Sequence, residues 1–285
     1  MWQSENDEEV EAEFGRSETS KINNLNTIPP SLFRWNLAAA IFQLVQAIVL
    51  FYLSSKATTN WYLYTSFPQN FGDRETSGDF GRPGSKEIAA YSVTWYSAVF
   101  ILLSATDHLT VITPGFRRIY ESHIEKSQNP FRWIEYSLSA SLMRVMIAQL
   151  SGVTDIHILF SIFCLAATTM ILGWAHESLN AKARADGLTQ NWFAFNAAFI
   201  PHLASWAIIF CYFFVSVSKA DPPAFVWAIV IILFILDGTF ALLFYLQWAR
   251  KGRFKDYVKG EIGFIVLSFT AKSLLAWLNF GGGAR

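Results

Sequence analysis

Residues 263–280, GFIVLSFTAKSLLAWLNF, decide the fold class of this chain. The run has the length and apolar content of a bilayer-crossing helix, which needs about 20 apolar residues. One residue departs from the pattern, because Lys272 lies near the middle of the run. A charge at that depth costs at least about 2.5–3.5 kcal/mol, so it indicates a function unless an acid pairs with it or it reaches an interface.

The composition of the whole chain agrees with a membrane protein. Of its 285 residues, 53% are apolar, 16% are aromatic and 15% are charged, whereas about a quarter of a typical soluble domain is charged. The composition therefore predicts an all-α polytopic membrane protein. The net charge of zero gives no electrostatic case for nucleic-acid binding. Cys164 and Cys211 lie in apolar runs without metal spacing, and we expect them to be buried thiols.

The first thirty residues differ from the rest. They contain the acidic stretch SENDEEVEAEF and end in a polar stretch with Pro-Pro. No apolar core precedes a small-residue cleavage site, so we expect no signal peptide. We interpret residues 1–30 as a disordered acidic cytoplasmic tail and residues 31–285 as one membrane domain.

The apolar runs predict seven transmembrane helices, at 33–53, 89–113, 131–151, 156–177, 191–217, 223–249 and 261–280. The only long connection is 54–88. It begins with the alternating aromatic stretch NWYLYTSF and continues into a Gly-rich stretch. This pattern predicts a small extracellular β-hairpin, and a disordered loop is the alternative.

The loop charges predict the orientation of the helices. The loops after the second, fourth and sixth runs carry four, two and five Lys and Arg residues. The other side has Lys219, Arg285 and four basic residues in the long loop, which count for less. We therefore expect a cytoplasmic N-terminus and an extracellular C-terminus. G-protein-coupled receptors and ordinary microbial rhodopsins have the opposite orientation.

Two ionisable residues of different runs lie in the cytoplasmic half of the membrane, with Lys272 about 16 Å and Glu135 about 8 Å from that side. Lys272 leans toward Ser268, one turn earlier. Glu135 lies in the third run with Ser139 one turn further, about 8 Å from the same membrane side. An extended lysine can cover the remaining difference in depth, so an ion pair is geometrically feasible. Alternatively, Glu135 is an interfacial acid near Arg132.

Further polar residues occur inside the predicted spans. Ser104 and His108 share a helix face beside Asp107, and Gln43 and Gln46 share another. They predict one polar pocket in the cytoplasmic half, although such residues can also simply bridge helices. Asp237 lies near mid-membrane and is neutral, paired or part of a proton route. We interpret His176 and Glu177 as a solvated helix end, and assign no role to Arg144 and His202.

One buried lysine and one carboxylate favour a specific chemistry. A desolvated lysine is a nucleophile for carbonyl groups and forms a Schiff base with an aldehyde. Once protonated, the Schiff base is a buried cation that needs a fixed anion, which Glu135 can provide. A long apolar aldehyde also needs an apolar aromatic cavity, and the chain has 26 Phe and 11 Trp. Retinal is the obvious aldehyde.

The residues resemble the heliorhodopsin family. The resemblance is carried by WIEYSLSASLM in the third run, SFTAKSLLAW in the seventh, Asn129 before the third run, and Ser104 with His108. Seven spans, an inside N-terminus and a long first loop are also typical of that family. The resemblance covers residues 33–280 and leaves out the acidic tail.

The resemblance implies that all-trans retinal is linked to Lys272, with Glu135 as the counterion. It implies that Ser268 hydrogen-bonds near the Schiff base, and we add Ser139 and Tyr136 to the retinal-binding residues. It further implies a polar cavity that holds or relays the proton, formed by His108, Ser104, Asn129 and Gln46. Heliorhodopsins resemble light sensors more than pumps, are not enzymes, and form homodimers that pair the first loop across the interface.

The chain departs from the family in two respects. Gln43 occupies a position where the family often has a histidine, which removes one candidate proton acceptor. Asp107 and Asp237 are additional acids that could let a proton leave the protein. Three functions therefore stay open: a photosensory receptor with a cytoplasmic signalling partner, a light-gated proton conductor, and a cofactor-free membrane scaffold. We favour the receptor.

Overall fold

The computed structural model describes residues 29–68 and 83–283. These residues form eight α-helices and one two-stranded antiparallel sheet. The elements are α1 (Pro30–Ser54), β1 (Trp61–Pro68), β2 (Pro83–Tyr91), α2 (Thr94–Ile112), α3 (Pro114–Glu125), α4 (Pro130–Leu150), α5 (Ile156–Ala185), α6 (Phe193–Lys219), α7 (Ala224–Trp248) and α8 (Tyr257–Gly283). The acidic stretch of the predicted tail lies outside the described residues.

Seven of the helices form a bundle in which successive helices run in opposite directions. Helix α4 is central and packs against α2, α5, α6 and α7, and α8 closes the bundle against α1, α2 and α7. We call the end that carries the β-hairpin the hairpin end, and the other the opposite end. Contacts between helix ends support this arrangement, because the Ser216 hydroxyl at the end of α6 donates to the Ser151 carbonyl just after α4.

All seven predicted runs lie largely in these bundle helices. Six of the helices are long and apolar enough to cross a membrane. Helix α4 does not meet that criterion, because Arg132, Glu135 and Arg144 lower its apolar content. Two predicted boundaries were wrong. Helix α2 begins at Thr94 because the chain up to Tyr91 belongs to β2, and α5 continues to Ala185, well past residue 177.

The surface of the bundle is apolar and much of its interior is polar. On α1, the side chains of Ile41, Phe42 and Ile48 are about half exposed, whereas Gln43 and Gln46 are buried. This inversion is expected of helices that face lipid outside and each other inside. The expectation of buried thiols was wrong, because Cys164 and Cys211 are both exposed on this apolar surface.

The predicted hairpin is confirmed. Strands β1 and β2 pair from Trp61 with Tyr91 to Pro68 with Pro83. The hairpin is fastened to the connection between α4 and α5, where the Tyr64 amide donates to the Thr154 carbonyl at 3.0 Å.

Asp155 joins the hairpin to α5. Its carboxylate caps the first turn of α5 by accepting from the His157 and Ile158 amides, and also accepts from the amide and hydroxyl of Ser66 in β1. Partial burial alone would raise the pKa of Asp155, but these hydrogen bonds favour the carboxylate and hold its pKa below the ordinary value.

Helix α3 was not predicted from the sequence. It is a short helix between α2 and α4 at the opposite end, and it is amphipathic. Tyr120 and Ile124 are buried against the bundle, whereas Phe116 and Ile119 are half exposed. Its inner face closes part of the opposite end.

Two apolar clusters form the rest of the core. The first lies toward the hairpin end and includes Phe100, Met146, Trp206, Phe213 and Ile229. The second lies toward the opposite end and includes Trp133, Phe244, Trp248 and Phe264. The polar groups of the candidate site lie between and beside these clusters.

Candidate functional site

Lys272 forms a buried ion pair with Glu135. Its Nζ lies 2.5 Å from Glu135 Oε1 and donates to the Ser104 hydroxyl at 3.0 Å. Both charged side chains are about 5% exposed or less. The Tyr136 ring lies beside the ammonium group, with 5.2 Å between Nζ and the ring centroid. Helices α2, α4 and α8 therefore fix the lysine from three directions, and it does not reach an interface.

An apolar cavity of about 130 Å³ extends from Lys272 between α4, α5, α6, α7 and α8. Its walls are mainly aromatic and aliphatic, with contributions from Tyr136, Phe199, Phe240 and Phe264. Gly173 of α5 is also part of the wall. A Cβ at Gly173 would lie 2.4 Å from the Trp133 ring, so this glycine lets the indole pack closely against α5. A lysine at the wall of such a cavity fits a long apolar aldehyde.

A second, polar cavity lies next to Glu135 on the opposite-end side. It brings together several of the predicted residues with others that the sequence did not single out. Its lining includes Asp107, His108, Tyr120, Asn129, Arg132, Glu135, Tyr136, Glu261 and Ser268. Ser268 lines both cavities, one turn from Lys272. Of the residues predicted for a polar pocket, Asp107, His108 and Asn129 line this cavity beside Glu135, whereas Ser104 does not line it and contacts Lys272 instead.

A buried ionic network closes the polar cavity. Arg132 donates to Glu261 Oε1 at 2.5 Å and to Glu177 Oε2 at 2.8 Å, and all three side chains are 5% exposed or less. The Asn129 side chain donates to Glu261 at 2.7 Å, and its backbone amide donates to Glu177. The Tyr257 hydroxyl also donates to Glu177, at 3.1 Å. Three helices, α4, α5 and α8, are thus joined by one arginine and two carboxylates.

This network corrects two interpretations of the sequence. His176 and Glu177 are not a solvated helix end, since α5 continues beyond them and neither is exposed. Arg132 pairs with Glu177 and Glu261, which leaves Glu135 to Lys272.

The two glutamines of α1 lie apart from the polar cavity. Gln46 was expected to line it, but its amide bonds to Ser273 and Trp277, which lie beyond Lys272 toward the hairpin end. Gln43 is fully buried, and neither polar atom of its side chain has a hydrogen-bond partner in the described residues. Asn36 of α1 instead contacts a residue of the cavity wall. Its side chain is hydrogen-bonded to His108 Nδ1 at 2.8 Å.

Asp237 is not in the polar cavity either. It lines the apolar cavity and pairs with Arg144 of α4, so of the three alternatives left open by the sequence the structure has the paired one. Trp206 Nε1 donates to the same carboxylate at 3.0 Å, and Arg144 also donates to the Ser205 hydroxyl.

The remaining predicted residues lie around Lys272. Tyr136 and Ser139 line the apolar cavity, and Ser139 is fully buried. Sequence reasoning missed Arg132, Glu177 and Glu261 as a network, as well as Tyr120. One signal could have indicated the network: Arg132 lies near a predicted helix start, and acids lie near the ends of two other predicted spans. Nothing in the sequence indicated Tyr120, because α3 itself was not predicted.

A helical membrane bundle with a buried lysine beside an apolar cavity is the arrangement of a rhodopsin. Solved structures of microbial rhodopsins share the fold of this chain. The chain is similar to a cyanorhodopsin from the cyanobacterium Calothrix sp. NIES-2098, with a TM-score of 0.60 and 12% identity over 89% of this chain and 95% of that one. A light-driven proton pump from Leptosphaeria maculans has a TM-score of 0.59 and 12% identity, and the match covers 90% of this chain and 96% of that one. Xanthorhodopsin, a light-driven ion pump with a dual chromophore, has a TM-score of 0.58 and 11% identity, and the match covers 88% of this chain and 91% of that one. The fold is therefore that of microbial rhodopsins.

Within that class, the chain belongs to the heliorhodopsin family, whose family model matches residues 32–284. The resemblance seen in the sequence is thereby confirmed. No curated protein matches the chain.

Proposed function

We propose that this protein is a photosensory receptor that binds all-trans retinal at Lys272. The observation that carries the proposal is the position of Lys272, whose ammonium group contacts Glu135 while its side chain lines the apolar cavity. Retinal would supply the light-absorbing polyene. Lys272 would hold it as a protonated Schiff base, Glu135 would be the counterion, and Tyr136, Ser139 and Ser268 would border it.

The two cavities suggest where a proton would be held. Glu135 lies at the wall of the polar cavity, beside Asp107, His108 and Ser268. His108 is held in place by Asn36. The Arg132 network lies at the opposite-end side of these groups. We propose that a proton displaced by light stays in this cavity and changes the stability of the groups that close it, which is the form a local switch takes in a receptor.

The orientation and assembly belong to the same proposal. We propose seven membrane spans, because α4 has 21 residues and its charged groups are buried and paired inside the bundle. We place the opposite end in the cytoplasm on the loop charges and the hairpin end outside. Residues 31–285 would be the membrane domain, residues 1–30 a cytoplasmic tail, and the protein a homodimer in lipid with a cytoplasmic signalling partner.

Light-gated proton transport is the second candidate. Asp237 favours it, because this acid faces the apolar cavity and is 27% exposed. The apolar cluster further toward the hairpin end, which includes Met146, Phe213 and Ile229, favours the receptor. Transport predicts a photocurrent that Asp237→Asn reduces, and flat voltage-clamp records from cells containing the pigment would exclude it.

The absorption spectrum after addition of retinal tests the binding site. We expect a visible band that is lost in Lys272→Ala and shifted to longer wavelength in Glu135→Gln, because a neutral partner stabilises the cation less. Lys259→Ala is the matched control, since Lys259 lies on the same helix with its side chain 60% exposed. A band that survives in Lys272→Ala, or a colourless protein after retinal addition, would contradict the proposal; the second result would favour the scaffold.

A further inference from the structure

A further ion pair lies away from both the Lys272–Glu135 pair and the Arg132 network. Arg144 of α4 pairs with Asp237 of α7, and Arg144 is 5% exposed. The guanidinium group is held by two further contacts, a 2.8 Å hydrogen bond to the Ser205 hydroxyl and the Trp206 ring at 4.5 Å. The Trp206 indole also donates to Asp237 Oδ2 at 3.0 Å. Helices α4, α6 and α7 therefore fix both charges in position.

The pair is oriented with respect to the apolar cavity. Asp237 lines the cavity, together with His202, whereas Arg144 is not part of the wall. In the described residues no donor reaches Asp237 Oδ1, and the side chain is 27% exposed. The cavity thus meets the carboxylate, and the arginine stands behind it. Lys272 pairs with Glu135, whereas Asp237 pairs with Arg144, which lies nine residues and thus about 14 Å further along α4. The carboxylate therefore meets the cavity at a different level from the lysine.

We propose that Asp237 tunes the colour of the pigment by acting on the part of the chromophore that is distant from Lys272. The inference rests on the proposed function, because it requires retinal in the apolar cavity. Light absorption by a protonated retinal linkage moves positive charge from the nitrogen toward the far end of the polyene. Groups placed near a cofactor tune its electronics through such charges.

The two carboxylates then have opposite effects on the transition energy. Glu135 stabilises positive charge at the nitrogen, which favours the ground state and shortens the wavelength. Asp237 stabilises positive charge displaced from the nitrogen, which favours the excited state and lengthens the wavelength. Arg144 lies behind the carboxylate and is not part of the cavity wall, so its positive charge is farther from the cavity and only partly cancels the effect.

A purely structural role for the pair gives a different expectation. If Asp237 and Arg144 only join α4 to α7, their loss would lower stability and leave the absorption maximum near its original value. The direction of the spectral shift therefore separates the two roles, and it is independent of any photocurrent or signalling assay.

The experiment compares absorption maxima of retinal-reconstituted variants. We expect Asp237→Asn to move the maximum to shorter wavelength, by on the order of 10 nm for a unit charge several ångströms away. Glu135→Gln should move it to longer wavelength. Ser205→Ala is the matched control, because it removes a hydrogen bond from Arg144 but keeps both charges, and it should leave the maximum within a few nanometres on the same argument.

The outcomes distinguish failure of this inference from failure of the proposed function. A coloured protein whose band needs Lys272, with Asp237→Asn unshifted or shifted to longer wavelength, overturns the tuning role alone. A colourless unmodified protein overturns the proposed function.

If Asp237→Asn forms no pigment, the unmodified chain can be loaded with a retinal analogue whose conjugation stops short of the ring. The quantity to compare is the difference between the absorption maximum in the protein and that of the same protonated linkage free in solution. With the shortened analogue this difference should move toward shorter wavelength, because Asp237 no longer lies near the conjugated chain whereas Glu135 still does. An unchanged difference would overturn the proposal.

Discussion

Replacement of Arg132 by methionine tests whether the buried network holds the opposite end of the bundle together. The change keeps the length of the side chain and removes the charge, which leaves Glu177 and Glu261 buried without their common partner. Removing one member of a buried ion pair typically costs about 3–5 kcal/mol, because the remaining charge is uncompensated. With roughly 2–4 °C per kcal/mol for a chain of this size, the unfolding temperature should fall by about 10 °C.

The assay is thermal unfolding of the purified protein in detergent, with and without retinal. Arg117→Met is the matched control, because Arg117 and Glu121 form a pair on α3 with side chains 42% and 29% exposed. Exposed pairs contribute about 0–1 kcal/mol, so this variant should unfold within a few degrees of the unmodified protein.

A double-mutant cycle separates the ion pair from other effects of the substitution. Glu261→Gln alone weakens the network, but combined with Arg132→Met it removes one of the uncompensated charges. The combined loss should therefore be smaller than the sum of the two single losses, with a coupling of about 0.5–3 kcal/mol. Equal losses in Arg132→Met and Arg117→Met, or strict additivity in the cycle, would refute the role of Arg132 as the common partner.

Two further predictions concern the cavity wall and the hairpin. Gly173→Ala should reduce retinal uptake, measured as pigment yield, because the new Cβ would lie 2.4 Å from the Trp133 ring and force the ring toward the cavity. The control is Gly238→Ala, where a Cβ meets nothing within 4 Å. Equal pigment yields from the two variants would contradict the prediction. Asp155→Ala should cost about 0.5–2 kcal/mol through the lost helix cap and free the hairpin for limited proteolysis. Since the folded-state pKa of Asp155 is lowered, its contribution is present above the ordinary value near 4 and should fade as the pH falls through the folded-state pKa. Proteolysis of the unmodified hairpin that is insensitive to pH between about 5 and 2 would contradict this assignment.

Much of the fold and the central pair could be predicted from the sequence, because they depend on local patterns. Apolar length identified the bundle helices, and alternation with glycine marked the hairpin. The depth argument brought Lys272 and Glu135 together, since helical rise is regular enough to compare depths on two helices. In the structure, Lys272 Nζ lies 2.5 Å from Glu135 Oε1.

What could not be predicted depends on which helix faces meet. Glu177 looks like the end of a span in sequence, and only packing of α5 beside α4 and α8 shows that it is buried against Arg132. Gln46 shares the helix of Gln43 but turns to Ser273 and Trp277. Asp237 and Arg144 lie on helices that are far apart in sequence, and no periodicity signals their pairing. Helix rotation about its own axis decides each of these cases, and a single sequence does not encode it in a readable pattern.

The single carboxylate of Asp155 has a mechanical consequence. It is both the cap of α5 and the anchor of β1, so the hairpin and the first turn of α5 are held by the same side chain. Gly173, further along the same helix, forms part of the wall of the apolar cavity. We therefore expect that a displacement of the hairpin, for example by a neighbouring molecule that binds it, shifts the first turn of α5 and, through this helix, the wall of the apolar cavity. Asp155 is then the side chain through which binding at the hairpin end affects the cavity.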